Sequence, residues 1–221
     1  MTSTAPPTTD PGAEGPAPLD LAGIFPFPLD GFQLEAIDAL NQGHSVVVSA
    51  PTGSGKTLVG EYAIHRALAH GQKVFYTTPL KALSNQKLRD FRDQFGEQNV
   101  GLMTGDLSVN REASIVVMTT EIFRNMLYAE ADEHDDPLAD VEAVVLDECH
   151  YMNDSQRGTV WEESIIHCPP PVQLVALSAT VANAGQLTDW IEKVHGPTQL
   201  VISDHRPVPL QFSFCSAKGL H

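Results

Sequence analysis

The sequence predicts an α/β fold, a three-layer domain in which a mainly parallel sheet lies between helices. Five short apolar runs are typical of strands that are buried on both faces of a parallel sheet. They lie at residues 45–49, 74–78, 114–118, 143–147 and 173–177. Helical patterns separate these runs along much of the chain, and this alternation indicates βα units in one open sheet.

The first helices have recognisable ends. Asp30 and Gln33 have the spacing of a capping box, which predicts a helix that ends at Gly43. Residues 56–70 predict a second helix, and the residues leading to Phe95 predict a third. A glycine follows each of these two helices, as expected at a helix C-terminus.

Length and composition are those of one globular domain with a tail. The chain has 221 residues, 42% hydrophobic and 19% charged. Residues 1–24 are rich in proline and predict a disordered tail. We expect the folded domain to span residues 25–204 and an exit segment to span residues 205–221.

Charge and targeting signals exclude several classes of protein. No apolar run is long enough to span a membrane, and a secretory signal is excluded because the first basic residue is Lys56. Three cysteines without a C-x-x-C pair favour a reducing, cytoplasmic location. The net charge of −15 disfavours nonspecific binding to nucleic acid, although 8 of the 13 basic residues lie between Lys56 and Arg111.

Residues 50–57 (APTGSGKT) form a phosphate-binding loop between a predicted strand and a helix. Backbone N–H groups there can surround a β-phosphate, and the helix N-terminus adds positive charge. We expect Lys56 to reach the β- and γ-phosphates and Thr57 to bind Mg²⁺. The loop residues that predict ATP binding are Ala50, Pro51, Thr52, Gly53, Ser54, Gly55, Lys56 and Thr57.

Residues 147–150 (DECH) end the buried strand at 143–147. A carboxylate at this edge of a parallel sheet faces the crevice in which such sheets bind ligands. Asp147 can therefore hold the water shell of Mg²⁺, while Glu148 orients the attacking water. A zinc site built on Cys149 is rejected, because the spacing of the neighbouring His and Cys residues does not suit one.

These motifs, together with Ser178-Ala179-Thr180 after the next strand, resemble the first RecA-like domain of a superfamily 2 DExH helicase. Longer stretches are similar to the superkiller-type RNA helicases, and the DECH box is similar to the cyanobacterial and plastid branch. The stretches are TTPLKALSNQKLRDF at 77–91, GLMTGD at 101–106, TTEIFRNMLY at 119–128, RGTVWEE at 157–163 and HRPVPL at 205–210.

The resemblance implies further roles for single residues. Phe27 and Gln33 match residues that hold adenine, although core packing is an alternative for Phe27. His150, Ser178 and Thr180 match the group that couples the γ-phosphate to the nucleic acid. Residues that match contacts to the backbone of single-stranded nucleic acid are Pro79, Lys81, Thr104, Gly105, Asp106, Thr119, Thr120 and Glu121.

The function that follows is the ATP-binding half of an ATP-dependent RNA helicase, with ATP and Mg²⁺ as cofactors. Its expected partners are single-stranded or partly duplex RNA, a second RecA-like domain that supplies arginine fingers, and an RNA-degradation or ribosome-processing assembly. We expect the 221 residues alone to be nearly inactive. A DNA helicase of the same superfamily and a nucleic-acid clamp gated by ATP that does not unwind are the alternatives.

Overall fold

The computed structural model describes residues 19–128, 137–153 and 158–209, with the backbone of residues 215–216 and 219–220. The strands of the main sheet are β1 Ser45–Ser49, β2 Lys73–Thr78, β3 Val100–Thr104, β4 Leu107–Val109, β5 Ile115–Thr119, β6 Val141–Leu146, β7 Gln173–Ser178 and β8 Thr198–Ile202. The α-helices are α1 Leu21–Ile24, α2 Gly31–Asn41, α3 Thr57–His70, α4 Lys81–Phe95, α5 Thr120–Tyr128, α6 Gly158–His167 and α7 Ala184–Val194.

The eight strands form one sheet in the order β4-β3-β5-β2-β6-β7-β1-β8. Every pair in it is parallel except β3 with β4, whose antiparallel pairing follows a tight turn. The predicted α/β fold with a mainly parallel sheet is confirmed. A separate antiparallel pair joins β9 Cys215–Ser216 to β10 Gly219–Leu220.

Helices cover both faces of the sheet, which gives the three layers. Side chains of β1 alternate between the two cores, so Val46 and Val48 lie in one and Val47 in the other. Helices α2, α3 and α4 pack on the first core, and α5, α6 and α7 pack on the second. Helix α3 approaches the sheet closely, because a Cβ at Gly60 would lie 3.2 Å from Tyr76 and Val145 side-chain atoms.

Three strands of the sheet were not predicted. Strands β4 and β8 form its two edges, where side chains meet solvent and the apolar signal is weak. Strand β3 contains a glycine and ends in a polar turn. All five predicted strands are present, with ends shifted by up to two residues.

The predicted tail of residues 1–24 is corrected at its end. Residues 21–24 form helix α1, and the side chains of Leu19, Leu21 and Ile24 pack against the first core. Apolar burial therefore orders the chain before residue 25. The prediction of disorder for residues 1–18 lies outside the described residues.

The exit segment predicted at residues 205–221 is described only in part. Residues 205–209 continue from β8 without helix or strand. In the described part of the chain, no helix combines the length and apolarity needed to cross a bilayer.

Candidate functional site

The predicted site residues gather at one edge of the sheet, because parallel strands bring their carboxyl ends together. Apart from Phe27 and Gln33, which precede β1, they end or follow β1 (residues 50–57), β2 (79 and 81), β3 (104–106), β5 (119–121), β6 (147–150) and β7 (178–180). The adjacent strands β6, β7 and β1 carry the predicted nucleotide residues. The adjacent strands β3, β5 and β2 carry the predicted nucleic-acid residues, so the edge has two halves.

The loop after β1 has the backbone shape that its glycines allow. Gly53 and Gly55 have φ angles of 82° and 85°, in a region that L side chains rarely adopt. The Lys56 side chain is buried, and its ammonium forms no hydrogen bond or ion pair with the described residues. The buried Ser54 Oγ likewise has no hydrogen-bond partner there. A cradle with unpaired polar groups suits a polyphosphate.

Gln33 joins helix α2 to this loop. Its Oε1 accepts the Asp30 N–H at 2.8 Å, and its Nε2 donates to the Gly55 carbonyl at 3.0 Å. Phe27 is 54% exposed, with its ring centroid 6.1 Å from that of Phe25. Core packing, the alternative role for Phe27, does not fit that exposure, whereas an exposed ring is available for stacking. Adenine binding by both residues stays a prediction.

The turn after β6 holds Asp147 and Glu148 in a strained arrangement. Glu148 has a φ of 56°, which is uncommon for a residue with a Cβ and is often found at functional sites. Its N–H donates to Asp147 Oδ1 at 3.0 Å. Its buried Oε2 has no hydrogen-bond partner in the described residues. The Asp147 carboxylate is therefore held by a hydrogen bond, whereas the Glu148 carboxylate has none at Oε2 within the described residues.

Tyr76 and Lys87 contact Asp147, and the sequence reasoning missed both. The Tyr76 hydroxyl donates to Asp147 Oδ2 at 2.8 Å, and Lys87 Nζ lies 4.0 Å from the same oxygen. Burial and the charge of Asp147 raise the pKa of Tyr76 well above its ordinary value, so the phenol keeps its proton. The available signal was position: Ser84 and Phe91 are the buried residues of α4, and Lys87 has helical spacing from both.

His150 links the turn after β6 to the end of β7. The Ala179 N–H donates to His150 Nδ1 at 3.4 Å, and the Ser178 hydroxyl donates to the Ala179 carbonyl at 2.8 Å. Glu148 Oε2 lies 3.3 Å from the same His150 nitrogen. While this nitrogen accepts the Ala179 N–H, it has no hydrogen of its own to donate to Glu148. The predicted coupling residues His150 and Ser178 are thus brought together, and Thr180 is exposed beside them.

The predicted nucleic-acid residues form a connected surface. Lys81 and Asp106, both exposed, form an ion pair between the segments after β2 and β3. The Thr104 hydroxyl donates to Asp106 Oδ1 at 3.1 Å. The bonds from Lys81 and Thr104 lower the pKa of the Asp106 carboxyl, so it stays charged.

Other predicted nucleic-acid residues are less accessible. The side chains of Thr119 and Thr120 are buried, and the Thr120 hydroxyl donates to the Thr78 carbonyl at 3.2 Å. Pro79 is buried as well, whereas Gly105 is exposed and Glu121 is half-buried. The surface therefore presents Lys81, Gly105 and Asp106 to solvent.

The buried cysteines are not set up as ligands. Burial raises the pKa of Cys149 and of Cys168 to about 12, so both keep their protons at neutral pH. No group of three or more His, Cys, Asp and Glu residues in the described ranges could hold a metal ion.

A family model for the DEAD/DEAH box helicases matches residues 30–187, which include every strand of the sheet except β8. The chain belongs to the DEAD/DEAH box helicase family. That match contains the loop at 50–57, the DECH turn and the Ser178-Ala179-Thr180 segment, the three motifs from which the resemblance was predicted.

Similar curated proteins place the chain among the superkiller-type helicases, as predicted. It is 55% identical to the chloroplastic ATP-dependent RNA helicase DExH15 of Arabidopsis thaliana over 91% of this chain and 17% of that protein. It is 56% identical to the probable helicase HelY of Mycobacterium tuberculosis over 84% and 20%. It is 49% identical to the antiviral helicase SKI2 of Saccharomyces cerevisiae over 90% and 15%. The chain thus spans a fifth or less of these relatives, and the cyanobacterial and plastid branch stays a prediction.

Solved structures support the fold. The helicase Lhr of Mycobacterium smegmatis, solved with single-stranded DNA and AMP-PNP, superposes with a TM-score of 0.65 and 27% identity, over 82% of this chain and 26% of that one. The Hef helicase domain of Pyrococcus furiosus superposes with a TM-score of 0.62 and 21% sequence identity, over 83% of this chain and 39% of that one. These are RecA-like helicase domains, which confirms the predicted RecA-like fold.

Proposed function

We propose that this domain binds ATP with Mg²⁺ and uses its hydrolysis to move single-stranded RNA within an ATP-dependent RNA helicase. The observation that carries the proposal is that the predicted nucleotide residues and the predicted nucleic-acid residues lie side by side at one edge of the sheet. Ser54 Oγ and Glu148 Oε2, after β1 and β6, are buried without a hydrogen-bond partner among the described residues. Lys56 is buried in the same half, while Lys81 and Asp106 lie exposed on the other half. Ala179, directly after β7 in the nucleotide half, donates its N–H to His150.

The residues present fit ATP and Mg²⁺. Thr57 begins α3, and a hydroxyl there together with the Asp147 carboxylate is an oxygen donor set that suits Mg²⁺. Lys56 would pair with the phosphates, and the bound Mg²⁺ would neutralise the charge that develops on them. Glu148 would accept a hydrogen bond from the attacking water and orient it, because its Oε2 has no hydrogen-bond partner in the described residues.

Replacement of Lys56 tests the nucleotide site. Lys56→Ala removes a charge-assisted phosphate contact that is worth about 1.5–3 kcal/mol, so ATP·Mg²⁺ affinity should fall by roughly 10- to 150-fold. Titration calorimetry on the 221-residue chain measures this. Lys73→Ala is the matched control, because Lys73 begins β2 at the opposite edge and pairs with the exposed Glu112. Equal affinity in wild type and Lys56→Ala would refute the site.

Replacement of Lys81 tests the nucleic-acid half. Lys81→Ala should weaken binding of single-stranded RNA equally for different sequences, because a phosphate contact reads no base. The slope of log affinity against log salt should become shallower by about 0.7, the value for one contact to a single strand. Fluorescence anisotropy over a salt series measures both, with Lys193→Ala on α7 as the charge-matched control. An unchanged slope would exclude Lys81 from the interface.

RNA is preferred to DNA because DExH15 is named an RNA helicase at 55% identity. The DNA alternative has support of its own, since the Lhr helicase was solved with single-stranded DNA. Competition between RNA and DNA strands of equal length decides between them. Strand displacement by a protein that carries the domain decides against the clamp that does not unwind.

The partners of this domain are likewise inferred from the names of its relatives. A relative with 50% identity over 88% of this chain and 18% of its own length is the exosome RNA helicase MTR4 of Homo sapiens. We infer by analogy that an RNA-degradation or ribosome-processing assembly uses this domain, together with a second RecA-like domain. Copurification of the tagged protein with ribonuclease or ribosomal subunits would test this. The cytoplasmic location stays a prediction.

A further inference from the structure

Asp147 is paired with a lysine that none of the phosphate-binding motifs contains. Lys87 on α4 extends toward the carboxyl end of β6, where Nζ lies 4.0 Å from Asp147 Oδ2. Both side chains are largely buried, at 18% and 9% exposure. Burial limits screening by salt, so the two charges interact more strongly than an exposed pair would.

Aromatic rings fix the position of this ammonium. Lys87 Nζ lies 5.3 Å from the ring centroid of Tyr76 and 5.6 Å from that of Phe91, both within cation–π range. The two rings also pack edge to face, with centroids 4.9 Å apart. The Tyr76 hydroxyl bonds to the same Asp147 oxygen. Lysine and carboxylate are thus held in place by one aromatic pair.

We propose that Lys87 is the resting counter-ion of Asp147, held by Tyr76 and Phe91, so that a divalent ion enters this site only together with a nucleotide. This rests on the proposed function, in which Asp147 helps to hold Mg²⁺. A cation already beside Asp147 offsets the charge that would attract a lone Mg²⁺. The phosphates of ATP restore negative charge, and the metal binds with them. Lys87 is a positioning residue that acts through Asp147.

The first test measures metal alone. Mn²⁺ is titrated into the nucleotide-free chain and followed by electron paramagnetic resonance. Lys87→Met keeps the apolar stem against the rings and removes the charge, so Mn²⁺ affinity should rise at least about 5-fold. Lys87→Arg should stay near wild type, and Lys73→Met is the control for loss of a distant positive charge. Adding Asp147→Asn to Lys87→Met should abolish the gain.

The second test measures linkage with nucleotide. The measured quantity is the ratio of the ATP affinity in Mg²⁺ to the ATP affinity in EDTA. This ratio should rise at least about 3-fold in Lys87→Met. Metal-free ATP binds more weakly because it loses a nearby cation, whereas Mg²⁺ with ATP meets a more attractive Asp147 carboxylate. Lys87→Gln provides a second neutral variant if Lys87→Met fails to fold. Failure of the wild-type chain to bind ATP would refute the proposed function. Normal ATP binding with Mn²⁺ affinity unchanged or lowered in the neutral variants would overturn the counter-ion proposal alone.

Discussion

Glu148→Gln is expected to leave ATP binding near the wild-type level and to lower turnover at least about 10²-fold, the range for loss of a general base. Glutamine keeps the size of the side chain and its capacity to accept a hydrogen bond. It removes the charge at a group whose Oε2 is buried without a hydrogen-bond partner in the described residues. Calorimetry measures binding, and phosphate release measures turnover, in a protein that carries this domain with a second RecA-like domain.

The control for this prediction is Glu112→Gln, a glutamate that is 79% exposed and pairs with Lys73 on the opposite edge. The strained backbone at Glu148 is common to the wild type and the variant, so a change in turnover reports on the carboxylate. Near-normal turnover would mean that another group orients the water. A parallel loss of ATP binding would mean that Glu148 supports the site structurally.

Much of the site was predictable because strand alternation fixes where the motifs meet. Buried runs at β1, β6 and β7 carry clear apolar signals, and βα connections require that their carboxyl ends share an edge. The loop at 50–57 and the DECH turn therefore had to lie near each other. The alternation of strands and helices in the sequence was therefore sufficient to predict that Lys56 and Asp147 lie in one crevice.

What the sequence could not show depends on contacts between distant segments. A φ of 56° at Glu148 is imposed by the turn after β6 and has no signal in the residue type. Lys87 is one of two lysines on a polar helix, and its role emerges only where α4 packs beside β2. Edge strands β4 and β8 were not predicted, because their exposed or half-exposed residues show neither the alternation nor the continuous apolar run that indicates a strand.

The arginines with described ion pairs are engaged away from the nucleotide site. Arg66 bonds Glu142 and Gln173 near the amino ends of β6 and β7, at the edge opposite the site. Three more, Arg92, Arg111 and Arg124, pair with Glu97, Glu112 and Glu163. Phosphoryl transfer spreads negative charge over the γ-phosphoryl oxygens, and an arginine supplied to that charge is worth on the order of 10³–10⁵ in rate.

The 221-residue chain is therefore expected to bind ATP and to hydrolyse it slowly, with little stimulation by RNA. Joining it to a second RecA-like domain should raise the RNA-stimulated rate at least about 10²-fold, because we expect that domain to supply arginines and to grip the RNA from the other side. One phosphate-release assay on both proteins, with and without single-stranded RNA, measures the difference. Substituting the supplied arginines by alanine in the joined protein should return the rate to that of the single domain. Fast, RNA-responsive turnover by the 221 residues alone would show that Lys56 and Mg²⁺ stabilise the transferring phosphoryl group without an arginine from elsewhere.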